Sequence, residues 1–270
     1  MFLKRLSTRR PSLSVGKIQS REALLVNVSC RQRIREKGAK TTVTKVKIVV
    51  ATRMSKDDFL NTSALGRSLA PLRSVLPFEL CLFPENTLGL PLIYNSVIAA
   101  AKEDPSILIF LHDDVYICDF LWLRSIVQGL QKFDLLGLAG NKRRLSRQPS
   151  WAFIDEDFTW DEGQNLSGII GHGSGIPDYN ISAFGEPGQA VKLLDGVLLA
   201  CQSQILHAHD IRFDERFDFH FYDLDLCRQL ESKLLTMGTW PISVIHESGG
   251  AFGSPAWRDS YEKYLEKWGS

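Results

Sequence analysis

Long apolar runs and closely spaced cysteines are both missing from this chain of 270 residues. No apolar run reaches the roughly 18–20 residues that a membrane-spanning helix needs, so we expect no such helix. The five cysteines are scattered, and no two have the C-x-x-C spacing of metal ligands. Cysteines in this pattern are typical of a reducing compartment, so we expect a cytoplasmic protein.

Two nucleotide-binding motifs are also absent. The chain has no internal repeat, no G-x-G-x-x-G after the first predicted strand, and no G-x-x-x-x-G-K-[ST]. Glycine-rich loops of these two kinds let the backbone approach a phosphate closely. Their absence therefore disfavours a dinucleotide-binding fold and a P-loop enzyme.

The formal net charge of +1 hides a strong asymmetry along the chain. Residues 1–45 carry twelve Lys and Arg against two Glu, a net charge of +10, so the remaining residues sum to −9. This basic arm is open to three interpretations: peripheral contact with the inner face of a membrane, a transit peptide, or a disordered tail. It has no signal-peptide pattern, and no motif supports nucleic-acid binding. We assign residues 1–44 to a tail and residues 45–270 to a folded domain.

Strands and helices alternate four times after this arm. A first strand is predicted in "KVKIVVATR", which alternates and then becomes apolar, and a helix over 56–74 follows. The second strand is predicted in "PFELCLFPEN", the third in "SILIFLHDD" and the fourth in "DLLGLAGNKR". This alternation predicts an α/β fold with a mostly parallel central sheet flanked by helices.

The alternation stops at Arg147. Residues 148–190 contain seven glycines together with aromatic residues, which predicts an irregular loop region of the kind that forms lids or binding segments. Beyond it, strands are predicted in "KLLDGVLLACQ" and "WPISVIHESGG". An amphipathic C-terminal helix is predicted over 255–268, with Ser254 as its cap.

Polar side chains follow several of the predicted strands. Asp113 and Asp114 follow the third strand, Thr52 ends the first, and His246 ends the last. Ligands of an open parallel sheet bind beyond the carboxyl ends of its strands, so we expect these side chains to converge. Adjacent carboxylates would repel a phosphate unless a cation lay between them. The set therefore indicates a site for Mn²⁺ or Mg²⁺ bridging phosphates.

A second acidic motif, "DFHFYDLDLCRQL", spans residues 218–230. Asp223 falls at the predicted start of a helix, where the helix dipole favours an ionised carboxylate. Such a carboxylate can accept a proton from a hydroxyl nucleophile. Asp225 is assigned the role of helix cap, because side chains two residues apart do not share a helix face.

The order of these motifs resembles that of the GT-A inverting glycosyltransferases, in particular a bacterial glycosyltransferase-like branch related to family 2. That branch pairs an "H-x-D-V" strand end with a later "H-F-Y-D", and this chain has "HDDV" and "HFYD". The resemblance spans about residues 45–268. It implies transfer of a sugar from a nucleotide-diphosphate sugar to the hydroxyl of a glycan, lipid-linked or polysaccharide acceptor, with inversion and with Mn²⁺ or Mg²⁺ as cofactor.

The resemblance also implies roles for individual residues. Asp223 matches the catalytic base, Asp114 the metal-binding acid, and His246 a metal or diphosphate contact. Two positions depart from the usual pattern, because His112 stands where the first acid is expected and Tyr222 where a glutamate is expected. These departures bear on metal binding and catalysis.

A nucleotide pocket and a sugar pocket are implied in the same way. The residues that match the nucleotide pocket are Thr52, Asn95 and Asp113. The residues assigned to the sugar or acceptor pocket are Asp195, Gly196, Trp151 and His220. Trp151 and Trp160 offer flat faces for stacking against a sugar, and both are equally consistent with ordinary packing. Asn95 as a helix-surface amide, Asp195 as a turn residue and Thr52 as a strand-end cap remain open alternatives.

Two other functions are compatible with such a fold. A sugar-phosphate nucleotidyltransferase would usually carry a glycine-rich basic loop after the first strand, whereas "ATRMSKDDF" has no glycine. A catalytically inactive carbohydrate-binding protein on the same fold is the other alternative, and the departures at His112 and Tyr222 are compatible with it.

Overall fold

The computed structural model of the protein describes residues 45–73 and 77–269. The predicted basic tail 1–44 lies outside the described residues. Within them, no helix combines the length and the apolar character needed to cross a membrane.

A seven-stranded sheet forms the centre of the fold, with its strands in the order β2-β1-β3-β11-β5-β12-β9. All five residues of β3 are buried, as expected for a central strand covered on both faces. In chain order the strands are β1 (Val46–Ala51), β2 (Glu79–Phe83), β3 (Ile107–Leu111), β5 (Leu135–Gly137), β9 (Ala190–Val191), β11 (Leu198–Gln202) and β12 (Met237–Thr239).

The predicted α/β fold with a central sheet flanked by helices is confirmed. Strand β1 pairs in parallel with β2 and with β3, and β12 pairs in parallel with β5. Strand β11 runs antiparallel between β3 and β5. It enters the sheet directly from a second sheet and not through a helical crossover, and this connection lets it run antiparallel to its neighbours.

The second sheet has the strand order β10-β6-β7-β13-β4, and β8 pairs with β7 over Gly168–Gly173. The region expected to be an irregular loop, 148–190, contributes the β7–β8 hairpin to it. Glycines interrupt the alternation of β7, and the register shifts at Gly168, where φ is +120°, so the sequence has no regular strand pattern. In chain order the strands are β4 (Val115–Ile117), β6 (Ala139–Asn141), β7 (Leu166–Gly173), β8 (Tyr179–Gly185), β10 (Leu193–Leu194) and β13 (Val244–His246).

The chain crosses from one sheet to the other without a helix at several places, and three of these crossings lie next to the polar segments. His112–Asp114 connect β3 to β4, Leu138 connects β5 to β6, and residues 195–197 connect β10 to β11. Two segments that each read as one strand in the sequence, "DLLGLAGNKR" and "KLLDGVLLACQ", are therefore two short strands in different sheets.

Seven α-helices occur in the described part of the chain. The predicted helix over 56–74 is broken at Ser63, whose hydroxyl accepts a hydrogen bond from Gly66 N and caps a second helix. The helices are α1 (Lys56–Thr62), α2 (Ala64–Leu72), α3 (Leu90–Ala100), α4 (Trp122–Gly129), α5 (Ser203–Ala208), α6 (Tyr222–Ser232) and α7 (Pro255–Trp268).

Asp225 anchors helix α7 and does not cap α6. Phe221 precedes α6 in the left-handed region, with φ 68° and no side-chain cap. The buried Asp225 carboxylate accepts hydrogen bonds of 2.7 Å from Trp268 Nε1 and from Gln229 Nε2, and it lies 2.7 Å from Lys267 Nζ. Because three donors from two helices converge on it, its charge is satisfied inside the fold.

Replacing Asp225 with alanine should lower the free energy of unfolding by about 3 kcal/mol, because the Lys267 ammonium and the Trp268 indole lose their buried partner. Urea unfolding followed by circular dichroism measures this. The matched control is Asp259→Ala, which removes the exposed ion pair between Asp259 and Lys263 within helix α7. It should cost less than about 0.5 kcal/mol. Equal losses in the two variants would contradict the role of Asp225.

Candidate active site

The "HDD" segment is held by backbone hydrogen bonds from three different parts of the chain. His112 N donates to Val197 O (3.3 Å), Leu65 N donates to Asp113 O (3.1 Å), and Glu247 N donates to Asp114 O (2.9 Å). The segment is short and is followed at once by β4, so its three side chains have little freedom to move. The fold therefore fixes these polar groups at the junction between the two sheets.

Three potential metal ligands meet at this junction. One ligand atom from each of His112, Asp114 and His246 lies within 4.8 Å of the other two. Asp114 Oδ1 is buried and accepts no hydrogen bond, although His246 Nε2 lies 3.3 Å away. A buried carboxylate oxygen without a donor is costly unless a cation or a water satisfies it. These residues therefore fit a divalent cation.

Tyr222 orients the ring of His112. The hydroxyl of Tyr222 donates to Gly196 O (3.0 Å), and His112 Nε2 lies 2.8 Å from the same Tyr222 oxygen. Since the phenol has only one proton, His112 Nε2 must carry the hydrogen of the second bond, which leaves a lone pair on Nδ1. Burial lowers the pKa of His112 and so favours the neutral ring. The two departures from the usual family pattern thus form one hydrogen-bonded pair.

The charges of Asp114 and His246 support each other. Burial opposes ionisation of Asp114, but its contact with His246 outweighs this and lowers the pKa of Asp114 to about 2. Burial likewise opposes the charged form of His246, yet the neighbouring Asp114 raises the pKa of that imidazole. Asp114 is therefore a carboxylate at any physiological pH.

Asp223 lies in the first turn of α6 and faces the same junction. Its Oδ2 accepts a hydrogen bond from Gly196 N (2.9 Å), and its Oδ1 accepts one from Leu224 N (2.8 Å). Burial raises the pKa of Asp223 to about 7, and the nearby Asp195 carboxylate adds to the shift. We expected the helix dipole to keep Asp223 ionised, but burial and the Asp195 charge outweigh the dipole. The group therefore changes its charge near neutral pH.

Asp195 connects the segment around Trp151 to the base of the site. The Trp151 indole donates to Asp195 Oδ2 (2.7 Å), and Val197 N donates to Asp195 Oδ1 (2.9 Å). Gly196 follows, and a Cβ added to it would lie 2.4 Å from the Tyr222 hydroxyl. Only glycine therefore fits between Asp195 and α6 without displacing Tyr222.

A cavity of about 680 Å³ contains most of the predicted site residues. Asp114, Trp151, Asp195, Gly196, His220, Asp223 and His246 all line it. His220 is a half-buried wall residue, and burial lowers the pKa of its ring. A second cavity, of about 720 Å³, lies beside β2 and contains none of the predicted site residues.

The three residues assigned to a nucleotide pocket do not line the cavity of about 680 Å³ that contains Asp223. Thr52 and Asp113 do lie together, because the Thr52 hydroxyl donates to Asp113 Oδ2 at the ends of β1 and β3. Asn95 is not brought to them. Its amide donates to Phe213 O (2.9 Å) and its oxygen accepts from Phe213 N (3.0 Å), so it pairs with the backbone of the segment before α6.

Some cavity residues were missed by sequence reasoning. His172 lies on β7 with its ring centroid 6.0 Å from that of His246, and Phe219 stacks on His112 at 5.7 Å. The glycine-rich sequence around His172 gave no strand pattern that would place it. Phe219, in contrast, belongs to the "DFHFYD" motif and could have been included with its neighbours.

Comparison with known proteins identifies one matching family. The sequence model described as "Glycosyltransferase like family" matches residues 92–251, more than half of the chain. No curated protein matches the chain. Among solved structures, the chain is similar to the crystal structure of A197 from STIV, with 8% identity and a TM-score of 0.40, over 76% of this chain and 83% of that one.

Proposed function

Because the chain belongs to the glycosyltransferase-like family, it is a glycosyltransferase, and we propose that it is a metal-dependent inverting enzyme. In this proposal a sugar moves from a nucleotide-diphosphate donor to the hydroxyl of an acceptor. One cavity holds both the half-buried carboxylate of Asp223 and the His112–Asp114–His246 set, and this pairing is the observation that supports the proposal. Such a transfer needs a Lewis acid at the leaving group of the donor and a general base at the hydroxyl of the acceptor, both within one cavity.

The three ligands would hold a divalent cation. A bound cation would supply positive charge to the diphosphate as it leaves. Two imidazoles and one carboxylate suit Mn²⁺ better than Mg²⁺, because Mg²⁺ prefers oxygen ligands. His112 would bind through Nδ1, with its Nε2–H donated to Tyr222 to fix the ring.

Asp223 would act as the general base. The Gly196 and Leu224 amides hold both of its carboxylate oxygens, so the group is fixed in position before the substrate arrives. With a pKa of about 7, the carboxylate is matched to proton transfer at neutral pH. It would accept the proton of the acceptor hydroxyl while that oxygen attacks the anomeric carbon from the face opposite the diphosphate, so the configuration inverts.

Thr52, Asp113 and Asp195 would position the donor. Thr52 and Asp113 form a hydrogen-bonded pair at the ends of two parallel strands, where a ribose or a base would bind. Asp195 would accept hydrogen bonds from the sugar, since its carboxylate is already oriented by Trp151 and Val197.

Release of nucleoside diphosphate from a panel of nucleotide sugars, with and without Mn²⁺, tests the proposal. We expect slow, Mn²⁺-dependent hydrolysis of at least one donor. Nucleoside diphosphate should be released faster when an acceptor saccharide is added. Proton NMR of the product should show an anomeric configuration opposite to that of the donor. No release from any donor, or a product with retained configuration, would overturn the proposal.

A further inference from the structure

The cavity beside Asp223 has predominantly acidic walls, and its described basic side chains are all histidines. Four carboxylates line it: Asp114, Asp195, Asp223 and Glu247. Among the lining residues in the described part of the chain there is no Lys or Arg. Arg67 contacts Glu247 at 2.8 Å but does not itself line the cavity. A cation held by the Asp114 set would meet phosphates, but away from that set nothing in these walls would neutralise an anionic ligand.

An exposed aromatic platform lies in the same cavity. Trp160 is 54% exposed, and Phe184 stacks behind it with ring centroids 5.8 Å apart and planes 14° apart. Trp151, which binds Asp195, packs edge-on against Phe184 at 4.9 Å. An exposed indole within a ligand cavity is a flat apolar surface that water solvates poorly. The platform and the proposed base are thus walls of one cavity.

The position of Trp160 is fixed by its neighbours. Phe153 forms a β-bridge with Trp160. The ring of Phe153 lies 5.1 Å from that of Trp160 and 5.0 Å from that of Phe252. The next residue, Asp161, is buried and accepts hydrogen bonds from Arg143 Nε (2.9 Å) and Asn141 Nδ2 (2.8 Å). A rigid platform loses little conformational entropy when a ligand stacks on it.

We propose that the acceptor is an uncharged saccharide whose ring stacks on Trp160 while its hydroxyl reaches Asp223. A pyranose ring presents C–H bonds on its flat face, which suit the indole, and hydroxyls on its edge, which suit the carboxylates. A uronic acid or a phosphorylated sugar would instead bring a negative charge toward Asp195 and Glu247. The inference rests on the proposed function for the role of Asp223, but the platform and the wall charges are independent of it.

Saturation-transfer NMR and calorimetry on the full chain test the inference, with lactose, cellobiose and maltose as neutral probes and glucuronic acid as the anionic one. We expect a neutral disaccharide to bind at least about tenfold more tightly than glucuronic acid. Trp160→Ala should weaken its binding about tenfold, whereas Trp160→Phe should retain most of it. The control is Phe120→Ala, because Phe120 is also an exposed aromatic (68%) but lies outside the cavity.

A second variant tests the charge of the walls if Trp160→Ala does not fold, as judged by circular dichroism. Ser182 lines the cavity from β8, so Ser182→Lys would add the missing cation. It should raise the affinity for glucuronic acid about tenfold. Glucuronic acid binding as tightly as the neutral probes, or no effect of either variant, would overturn the inference.

The two proposals fail in different ways. If nucleoside diphosphate is released but acceptor charge and Trp160 have no effect, the inference fails and the proposed function stands. If a neutral disaccharide binds at Trp160 but no nucleotide sugar is turned over, the saccharide site stands and the proposed function fails.

Discussion

Asp223→Asn should lower kcat for glycosyl transfer by about 10³-fold, because a carboxamide cannot accept the proton of the acceptor hydroxyl. Binding of the nucleoside diphosphate should be unchanged, since in the proposed mechanism Asp223 contacts the attacking group and not the leaving one. Steady-state kinetics and calorimetry on the same preparation measure the two effects. The control is Asp218→Asn, which removes an exposed carboxylate five positions earlier. Normal turnover in Asp223→Asn would exclude it as the base.

The same substitution should also remove a pH dependence. The pKa of Asp223 is raised to about 7 in the folded protein, so folding favours its protonated form, and the original chain loses stability as the pH rises from the ordinary carboxyl range of about 4 to about 7. From about pH 5 to about pH 8, the free energy of unfolding of Asp223→Asn should therefore rise relative to the original chain. We expect about 2 kcal/mol, less than full burial would give, because water reaches this half-buried carboxylate from the cavity. The transfer rate of the original chain should increase with pH across the same range.

Asp114→Ala should weaken the binding of Mn²⁺ alone by about 10³-fold, more than the 10–100-fold that is typical of groups that only orient a ligand. Asp114 is the one carboxylate of the set, and its buried Oδ1 has no hydrogen-bond donor. Calorimetry and the EPR signal of free Mn²⁺ measure the loss without any turnover. His112→Ala should weaken binding as well, which would assign a ligand role to the residue that replaces the usual acid.

The neighbouring carboxylate provides a sharp control for this metal prediction. Asp113→Ala should leave Mn²⁺ binding nearly unchanged and weaken the nucleoside diphosphate instead, because Asp113 is engaged by Thr52 on the other side of the segment. Unchanged Mn²⁺ affinity in Asp114→Ala, or equal losses in the two variants, would contradict the assignment of the metal to Asp114.

The strand–helix alternation was enough to predict the α/β fold, because the period of apolar residues is a local property of the sequence. The convergence of Asp114, Asp195 and His246 on one cavity also follows the rule that strand ends form sites, whereas Asp223 enters it from the first turn of α6. The division into two sheets was not predictable. A continuous apolar segment has the same sequence pattern whether it forms one strand or two short strands in different sheets.

Other features depend on contacts between distant parts of the chain. His112 and Tyr222 are 110 positions apart, and no local pattern indicates that their side chains share a hydrogen bond. Asp225 and Lys267 likewise meet only after α6 and α7 have packed. A sequence pattern assigns Asp225 to a helix end, but only the packed structure shows which donors its carboxylate receives.

The hairpin β7–β8 suggests how this enzyme could change its acceptor. Strand β8 pairs only with β7 in the described residues, yet it contributes Ser182 and Phe184 to the cavity. The direct crossings between the sheets, by contrast, tie His112–Asp114 and Asp195 to strands on both sides. Substitutions in β8 therefore leave the chemical groups in register, whereas β7 pairs with β13 beside His246 and belongs to the fixed frame. We expect acceptor preference to diverge readily among related chains while the catalytic geometry is inherited intact.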